Sequence, residues 1–235
     1  MATTHGDFAP WLGVFETLRV IDGVPLFVAE HRAELARAMK ALGLGAAFDA
    51  QAVRTELPPR SGRWRWIATS DGVRTMFTEE APVVSAPLAL SVSPVRVGSQ
   101  NWDARFKTVS YLVHAQAAAT ASTPEVVVLN EQGNVASAAR SNIFWRRGDR
   151  LYTPAHEAGC RCGVVRGFVL KNVPVEEGYF PLAHVLEAEE IFLTNSIKGL
   201  VSVNMIEGRA LADFSAAESL HAKYDAEIVA QVKAG

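Results

Sequence analysis

The sequence predicts a mixed α and β protein with an α+β first part and a larger α/β second part of some barrel character. Three observations support this prediction. In the first hundred residues, two segments with alternating apolar and polar residues are each interrupted by an Asp-Gly turn, which is typical of a β-hairpin. Apolar residues recur at helical spacing between the two hairpins, and the second half mixes short strands with helices. The length of 235 residues allows one large domain or two small ones.

The sequence predicts a small α+β domain over residues 1–97 and a linker of small and polar residues over 98–104. The predicted elements are a hairpin over 13–28, a helix over 31–44, a shorter helix over 48–57, a hairpin over 63–79 and a strand over 88–97. In the second hairpin, Trp64 and Trp66 share one face, which predicts packing in the core. Arg63 and Arg65 share the other face, which predicts a solvated surface.

Residues 105–235 predict a larger domain. The predicted elements are a helix over 107–121, strands over 125–129, 135–139, 142–145 and 150–153, a helix over 163–172, strands over 188–194 and 201–204, and a terminal helix over 215–232.

The composition excludes several classes of protein. A hydrophobic content of 49% and a charged content of 20% are typical of a globular chain, not a disordered or fibrous one. The net charge of −2 predicts no nucleic-acid or membrane partner. We find no signal peptide and no apolar run of the roughly 20 residues that span a bilayer, so we predict a soluble, cytoplasmic protein. Cys160 and Cys162 are too few for zinc, and we expect core residues or free thiols. The histidines show no metal-binding spacing, so we expect no metal.

Lysine is scarce, and Lys107 lies at the predicted junction between the two parts. Clefts often form between domains, and a lysine desolvated in a cleft becomes a nucleophilic amine. On spacing alone, an ordinary surface lysine remains the better interpretation.

Two segments could bind an anion. The loop from Gly159 leads directly into a helix whose first N–H groups, on Val164 and Val165, would be unpaired. A strand that ends at Asn195 delivers Ser196 into a turn, where its hydroxyl can donate. Each segment also has a purely structural interpretation. The first would be a loop in which glycine precedes a helix, and the second would be a polar turn of a hairpin.

The order of several blocks along the chain resembles one known family. The blocks are GVFETLRV at 13–20, FKTVSYL at 106–112, SNIFW at 141–145, GVVR at 163–166 and FLTNSIKG at 192–199. Together they resemble the class IV aminotransferases, the fold-type IV pyridoxal phosphate (PLP) enzymes. This family includes branched-chain and D-amino acid transaminases and 4-amino-4-deoxychorismate lyase, and the lyase branch is locally the most similar. The resemblance implies the family's two-domain architecture, shortened at its N-terminus, with the PLP site at the domain junction.

The resemblance also implies roles for individual residues. Lys107 would form the Schiff base with PLP and move protons at the substrate carbon. Tyr111 would hydrogen-bond the ring hydroxyl of the cofactor. The N–H groups of Val164 and Val165 and the hydroxyl of Ser196 would bind its phosphate.

Two residues depart from the family pattern. Glu34 stands where the family has an arginine that binds the phosphate, and Arg37, one turn later on nearly the same helix face, could substitute for it. Ser137 stands where the family has a glutamate beside the pyridine nitrogen. A hydroxyl holds the pyridine proton less well than a carboxylate, which would make the cofactor a weaker electron sink.

The implied function is that of a PLP-dependent amino acid transaminase or a 4-amino-4-deoxychorismate lyase, acting on an amino acid or an aminodeoxychorismate-like small molecule. By analogy the protein would be a homodimer. The alternative is a relative that has lost PLP catalysis and acts as a binding or structural protein. Arg96, Arg105 and Arg161 are candidates for binding a substrate carboxylate.

Overall fold

A small antiparallel sheet forms the first part of the structure, a computed structural model that describes residues 12–44, 60–80 and 86–235. Its strand order is β2-β1-β3-β4. The strands are β1 (Gly13–Ile21), β2 (Val24–Pro25), β3 (Gly62–Thr69) and β4 (Gly72–Glu79), and helix α1 spans Val28–Ala41. Both predicted hairpins and the first helix are confirmed. The helix predicted over 48–57 lies outside the described residues.

The two faces of the small sheet differ because side chains alternate along each strand. Leu18 on β1 and Trp64 and Trp66 on β3 pack in one cluster with Leu35 and Met39 of α1. Burial of the two tryptophans confirms the face that the alternation predicts. The opposite face carries Phe15, Thr17, Arg63, Arg65 and Ile67.

The second sheet has nine strands, in the order β10-β9-β8-β11-β12-β5-β6-β7, with β13 paired to β12. The strands are β5 (Leu88–Val97), β6 (Glu125–Asn130), β7 (Val135–Ala138), β8 (Asn142–Arg147), β9 (Arg150–Pro154), β10 (Glu176–Gly178), β11 (Glu190–Asn195), β12 (Gly199–Ile206) and β13 (Arg209–Ala210). Its central strands are buried along their length, as expected for a sheet that is covered on both faces. The mixed α/β fold class is therefore confirmed.

The second part contains a short 3-10 helix over His156–Ala158 and five α-helices, namely α2 (Trp102–Arg105), α3 (Leu112–Ala119), α4 (Val164–Asn172), α5 (Leu182–Leu186) and α6 (Ser215–Ala234). The ring of Tyr224 on α6 stacks on Phe27, just before α1, with centroids 5.5 Å apart. Within the described ranges, the structure contains no helix with both the length and the apolar character needed to cross a membrane. Cys160 and Cys162 are both free thiols, as expected.

The predicted start of the helix over 107–121 is wrong, because α3 begins only at Leu112. Residues 107–109 instead run antiparallel to the start of β1. The Phe15 N–H donates to the Lys107 carbonyl, and the Val109 N–H donates to the Gly13 carbonyl, each at 2.8 Å. Tyr111 adopts a left-handed conformation with φ of 37° that turns the chain into α3. These hydrogen bonds with β1 stabilise an extended backbone at residues 107–109 by more than helical propensity would stabilise a helix there.

Two further features differ from the sequence-based organisation. Helix α2 lies across the predicted linker over 98–104. Strand β5, which the sequence groups with the first domain, pairs with β6 and β12 in the larger sheet. The domain boundaries themselves stay a prediction.

Candidate functional site

Lys107 lies where the small sheet faces the large one, beside a cavity of about 500 Å³. Phe15, Thr17, Arg63 and Arg65 line the cavity from the small sheet. From the second part it is lined by Tyr111, Glu125, Arg140, Ser141, Leu193, Asn195, Ser196 and Lys198, among others. The Lys107 side chain is 24% exposed, so its amine is within reach of a ligand in this cavity. The structure thus places the predicted lysine in a cleft.

A buried carboxylate holds the Lys107 amine. The Nζ of Lys107 donates to Oε2 of Glu16 at 3.4 Å, and Nδ1 of His31 lies 2.7 Å from the same oxygen. Burial alone would raise the pKa of Glu16, but the charge of Lys107 and the contacts of His31 outweigh it, and the pKa lies below its ordinary value. Glu16 is therefore ionised and fixes the position of the amine.

A smaller cavity of about 40 Å³ adjoins the large one and shares Lys107 and Ser196 with it. Val164 and Val165, at the start of α4, also line it. The first helical hydrogen bond of α4 runs from the Gly167 N–H to the Gly163 carbonyl. Within the described part of the chain, the N–H groups of Val164 and Val165 therefore have no backbone acceptor. The structure thus brings three of the predicted anion ligands together beside Lys107.

The turn that carries Ser196 is fixed by its neighbour Asn195. The Asn195 Oδ1 accepts hydrogen bonds from the N–H groups of Ile197 at 3.1 Å and Lys198 at 2.8 Å. Its Nδ2 donates to the Ser141 hydroxyl at 3.0 Å. The Ser196 hydroxyl makes no hydrogen bond to the described residues, so it is free to donate to a ligand.

Glycine is required at the entrance to α4. A Cβ on Gly163 would collide with Oδ1 of Asn142. The amide of Asn142 fastens the preceding loop, because its Nδ2 donates to the Arg161 carbonyl at 2.9 Å. The backbone at this position therefore approaches closely enough to form one wall of the small cavity.

Two further polar side chains at the small cavity have hydrogen-bonding atoms without partners. Thr194 is 1% exposed, and its buried hydroxyl has no partner within the described ranges. Arg161 donates from Nη1 to the Tyr111 hydroxyl at 3.2 Å, but its buried Nε and Nη2 are unpaired there. Burial and the charge of Arg161 together lower the pKa of His114 to about 3.

Tyr111 and Ser137 lie at the site in different hydrogen-bonding states. The Tyr111 hydroxyl donates to the Ala139 carbonyl at 3.2 Å and accepts from Arg161. Ser137 is buried on β7 at the small cavity, and its hydroxyl donates to the Ala138 carbonyl at 2.9 Å.

Arg37 lies apart from these residues. Its guanidinium makes a two-point contact with the Glu34 carboxylate, at 2.9 and 2.6 Å, and lies 4.6 Å from the centroid of the Phe106 ring. It lines a cavity of about 650 Å³, together with Glu34, and this cavity shares Gly163 and Val164 with the small cavity beside Lys107. The phosphate-binding role of Arg37 stays an untested prediction, and Arg37 itself lines neither of the two cavities that Lys107 lines.

Three features of the site are not predicted from the sequence, namely Glu16, Thr194 and the cavity-facing position of Arg63 and Arg65. Glu16 had a detectable signal, because it is a charged residue on the otherwise apolar face of β1. The arginines face the cavity rather than open solvent because the large sheet packs opposite that face.

Comparison with known proteins supports the resemblance. The family model described as amino-transferase class IV matches residues 13–206. The chain is 28% identical over 235 residues to aminodeoxychorismate lyase of Bacillus subtilis (strain 168), covering 86% of this chain and 80% of that protein.

Solved structures share the fold. The crystal structure of 4-amino-4-deoxychorismate lyase from Pseudomonas aeruginosa has a TM-score of 0.76 at 21% identity, over 90% of this chain and 89% of that chain. An aminotransferase from Brucella abortus bound to PLP has a TM-score of 0.76 at 20% identity, over 90% and 88% of the two chains. Since the family model spans most of the sequence, the chain belongs to the class IV aminotransferase family.

Proposed function

We propose that the protein is a PLP-dependent lyase that releases pyruvate from 4-amino-4-deoxychorismate or a close analogue. Transamination of an amino acid is the other activity of the family. The relative from Bacillus subtilis, which is matched over 86% of this chain, supports the lyase assignment. The observation that carries it is the pair of arginines that faces the cavity beside Lys107.

The residues present fit the cofactor. The small cavity offers unpaired N–H groups at the start of α4, the free Ser196 hydroxyl and the unpartnered hydroxyl of buried Thr194. These donors suit a phosphate. The adjoining cavity of about 500 Å³ leaves room for the ring and a substrate next to the Lys107 amine.

The charge of the large cavity selects the substrate. Arg65 lies with its Cζ 5.0 Å from the centroid of the Phe15 ring, and the described residues include no carboxylate that pairs with it. Arg63 also faces the cavity and pairs with Glu80 at 2.8 Å. 4-Amino-4-deoxychorismate carries two carboxylates, and guanidinium groups bind carboxylates with two parallel hydrogen bonds. An anionic substrate therefore matches this wall of the cavity.

When bound, PLP would withdraw electrons from the substrate carbon that bears the amino group. Lys107 is the residue placed to attach the cofactor and then to take the proton from that carbon, while Glu16 keeps its amine in position. The bond between the neighbouring ring carbon and the ether oxygen would then break, and the enolpyruvate released would take up a proton to become pyruvate. The Ser137 hydroxyl already donates to a carbonyl. The site therefore provides only a weak partner for the pyridine nitrogen, which is more tolerable for this elimination than for efficient transamination.

A homodimer is also part of the proposal. Trp102, Val109 and Leu112 lie within five positions of Lys107 in the sequence and expose 49%, 49% and 70% of their surfaces. Large exposed apolar side chains of this kind are typical of an interface between subunits. We expect sedimentation analysis to give a dimer. The cytoplasmic location stays a prediction that cell fractionation would test.

The test compares two reactions of the purified, PLP-supplemented protein. Pyruvate release from 4-amino-4-deoxychorismate should exceed transfer of the amino group from glutamate or branched-chain amino acids to oxo-acids. Faster amino transfer would assign the protein to the transaminases. A colourless protein that takes up no added PLP would contradict both assignments.

A further inference from the structure

The arginine that α1 offers to a phosphate site is already engaged by a carboxylate. The family's arginine position holds Glu34, and the carboxylate there occupies Arg37 through two hydrogen bonds. Burial raises the pKa of Glu34 even though Arg37 opposes the shift, and the hydrogen-bonded pair lines a cavity that shares Gly163 and Val164 with the small one. Because Glu34 engages the Arg37 guanidinium, the arginines that line the small cavity itself are the better candidates for its fixed charge.

Arg140 and Arg161 both line this small cavity, together with the start of α4, Ser196 and Thr194. The Arg140 side chain is 58% exposed, and its guanidinium lies 3.9 Å from the Glu125 carboxylate and donates to the Pro124 carbonyl at 2.8 Å. The arginine with unused donors is therefore Arg161. Its loop position is fixed, because Asn142 donates to the Arg161 carbonyl. Its guanidinium is also fixed at one corner by the Tyr111 hydroxyl at 3.2 Å and by the Tyr111 ring, whose centroid lies 4.8 Å from Cζ.

The remaining donors of Arg161 are unused. Its Nε and Nη2 are buried without a hydrogen-bond partner, and the described ranges contain no carboxylate that forms an ion pair with it. A buried, unpaired guanidinium is costly unless a ligand satisfies it. The Thr194 hydroxyl, on a residue that is 1% exposed, is a second, independent donor without a partner at the same cavity.

We infer that Arg161 binds the phosphate of the cofactor and so takes the role of the arginine that Glu34 replaces. This inference rests on the proposed function, since it assumes that PLP occupies the site. The phosphate would receive donors from Arg161, Ser196 and the N–H groups of Val164 and Val165. Arg161 would thus be a cofactor-binding residue, not one that selects the substrate.

The test compares PLP with pyridoxal, which lacks the phosphate. Binding of each compound to Arg161→Gln and to wild type is measured by absorbance or fluorescence titration, without any activity assay. We expect PLP to bind roughly 10- to 100-fold more weakly to the variant, because charge-assisted hydrogen bonds to the phosphate are lost. Pyridoxal should bind within about twofold of wild type, and Arg161→Lys should recover part of the PLP affinity.

Arg37→Gln tests the competing prediction that the arginine of α1 binds the phosphate, and we expect PLP binding within about twofold of wild type, because Glu34 engages this guanidinium. Arg60→Gln is the matched control, since Arg60 is exposed and pairs with Glu79. Thermal unfolding of each variant without cofactor confirms that it is folded. If Arg161→Gln is not folded, Arg161→Lys replaces it in the comparison of PLP with pyridoxal.

Three results would overturn the inference. The first is an equal loss of PLP and pyridoxal, which would place Arg161 at the ring. The second is unchanged PLP binding by Arg161→Gln. The third is a loss of PLP binding by Arg37→Gln alone. If wild type binds neither compound, the proposed function itself fails. If wild type binds PLP and Arg161→Gln binds it equally well, only the role of Arg161 fails.

Discussion

Glu16 and Lys107 stand 91 positions apart in the sequence, yet the Oε2 of one lies 3.4 Å from the Nζ of the other. The contact joins β1 of the small sheet to the segment that precedes α3. It depends on the backbone pairing of residues 107–109 with β1, because a helix beginning at Lys107 would lack those hydrogen bonds. The position of the amine is therefore set by strand pairing and by one buried carboxylate.

Replacing Glu16 by Gln should lower the free energy of unfolding by about 2–3 kcal/mol at neutral pH, because a buried charge contact with His31 and Lys107 is lost. The folded-state pKa of Glu16 is lowered from 4.5. Its contribution to stability is therefore complete above that pH and declines as the pH falls below it. Urea unfolding from pH 7 to pH 3 should show the difference between the two proteins shrinking below pH 4.5. A difference that is constant over this range would contradict the ionised state of Glu16.

His114 should make the protein without cofactor sensitive to mild acid. Its pKa is about 3 in the folded protein against an ordinary value of 6.5, so below pH 6.5 protons favour the unfolded chain. The free energy of unfolding should fall by about 2 kcal/mol between pH 6.5 and pH 5 from this residue. His114→Phe should remove that part of the pH dependence in urea unfolding. Equal slopes for the variant and wild type would show that His114 is not held neutral.

Arg65→Gln should weaken use of an anionic substrate. We expect the KM for 4-amino-4-deoxychorismate to rise roughly 10- to 100-fold, because a charge-assisted contact with a carboxylate is lost. Arg60→Gln is the matched control, since Arg60 pairs with Glu79 and that exposed pair contributes little. Steady-state kinetics of both variants decides the question. The assignment of Arg65 fails if both variants keep the wild-type KM.

Gly163→Ala should disrupt the start of α4, because the added methyl group meets the Asn142 amide. We expect at least tenfold weaker binding of PLP and a loss of about 1–3 kcal/mol of stability from overpacking. Gly167→Ala in the same helix is the control, since a Cβ there meets nothing within 4 Å. It should stabilise the protein by about 0.5–1 kcal/mol through helix propensity. Titration with PLP and thermal unfolding test both expectations, and similar behaviour of the two variants would contradict the close approach at Gly163.

The sequence predicts those parts of the fold that depend on local patterns. The alternation in β1 and β3 and the apolar spacing of α1 are local, and the structure confirms them. The start of α3 could not be predicted, because it depends on hydrogen bonds between residues 107–109 and a strand about 90 positions away. The pairing of strand β5 with β6 and β12 could not be predicted for a similar reason, since both partners follow it in the chain.

In the site, too, residues with a local sequence signal could be predicted, and residues that depend on long-range contacts could not. Lys107, Val164, Val165 and Ser196 lie in blocks that resemble a known family, and the structure brings them to adjoining cavities. Arg161 lies outside these blocks, and Thr194 lies within one of them without an implied role. The significance of both residues lies in donors left unpaired once the chain is folded. A bidentate contact that engages Arg37 with Glu34 is likewise visible only in three dimensions.

The central claim is that Lys107 attaches the cofactor. The most direct measurement is reduction of the PLP-loaded protein with borohydride, followed by proteolysis and mass spectrometry. We predict a phosphopyridoxyl group on Lys107 as a stable secondary amine, and no label in a folded Lys107→Ala variant. Label on a different lysine of the wild-type protein, or a Lys107→Ala variant that still turns over substrate, would contradict it.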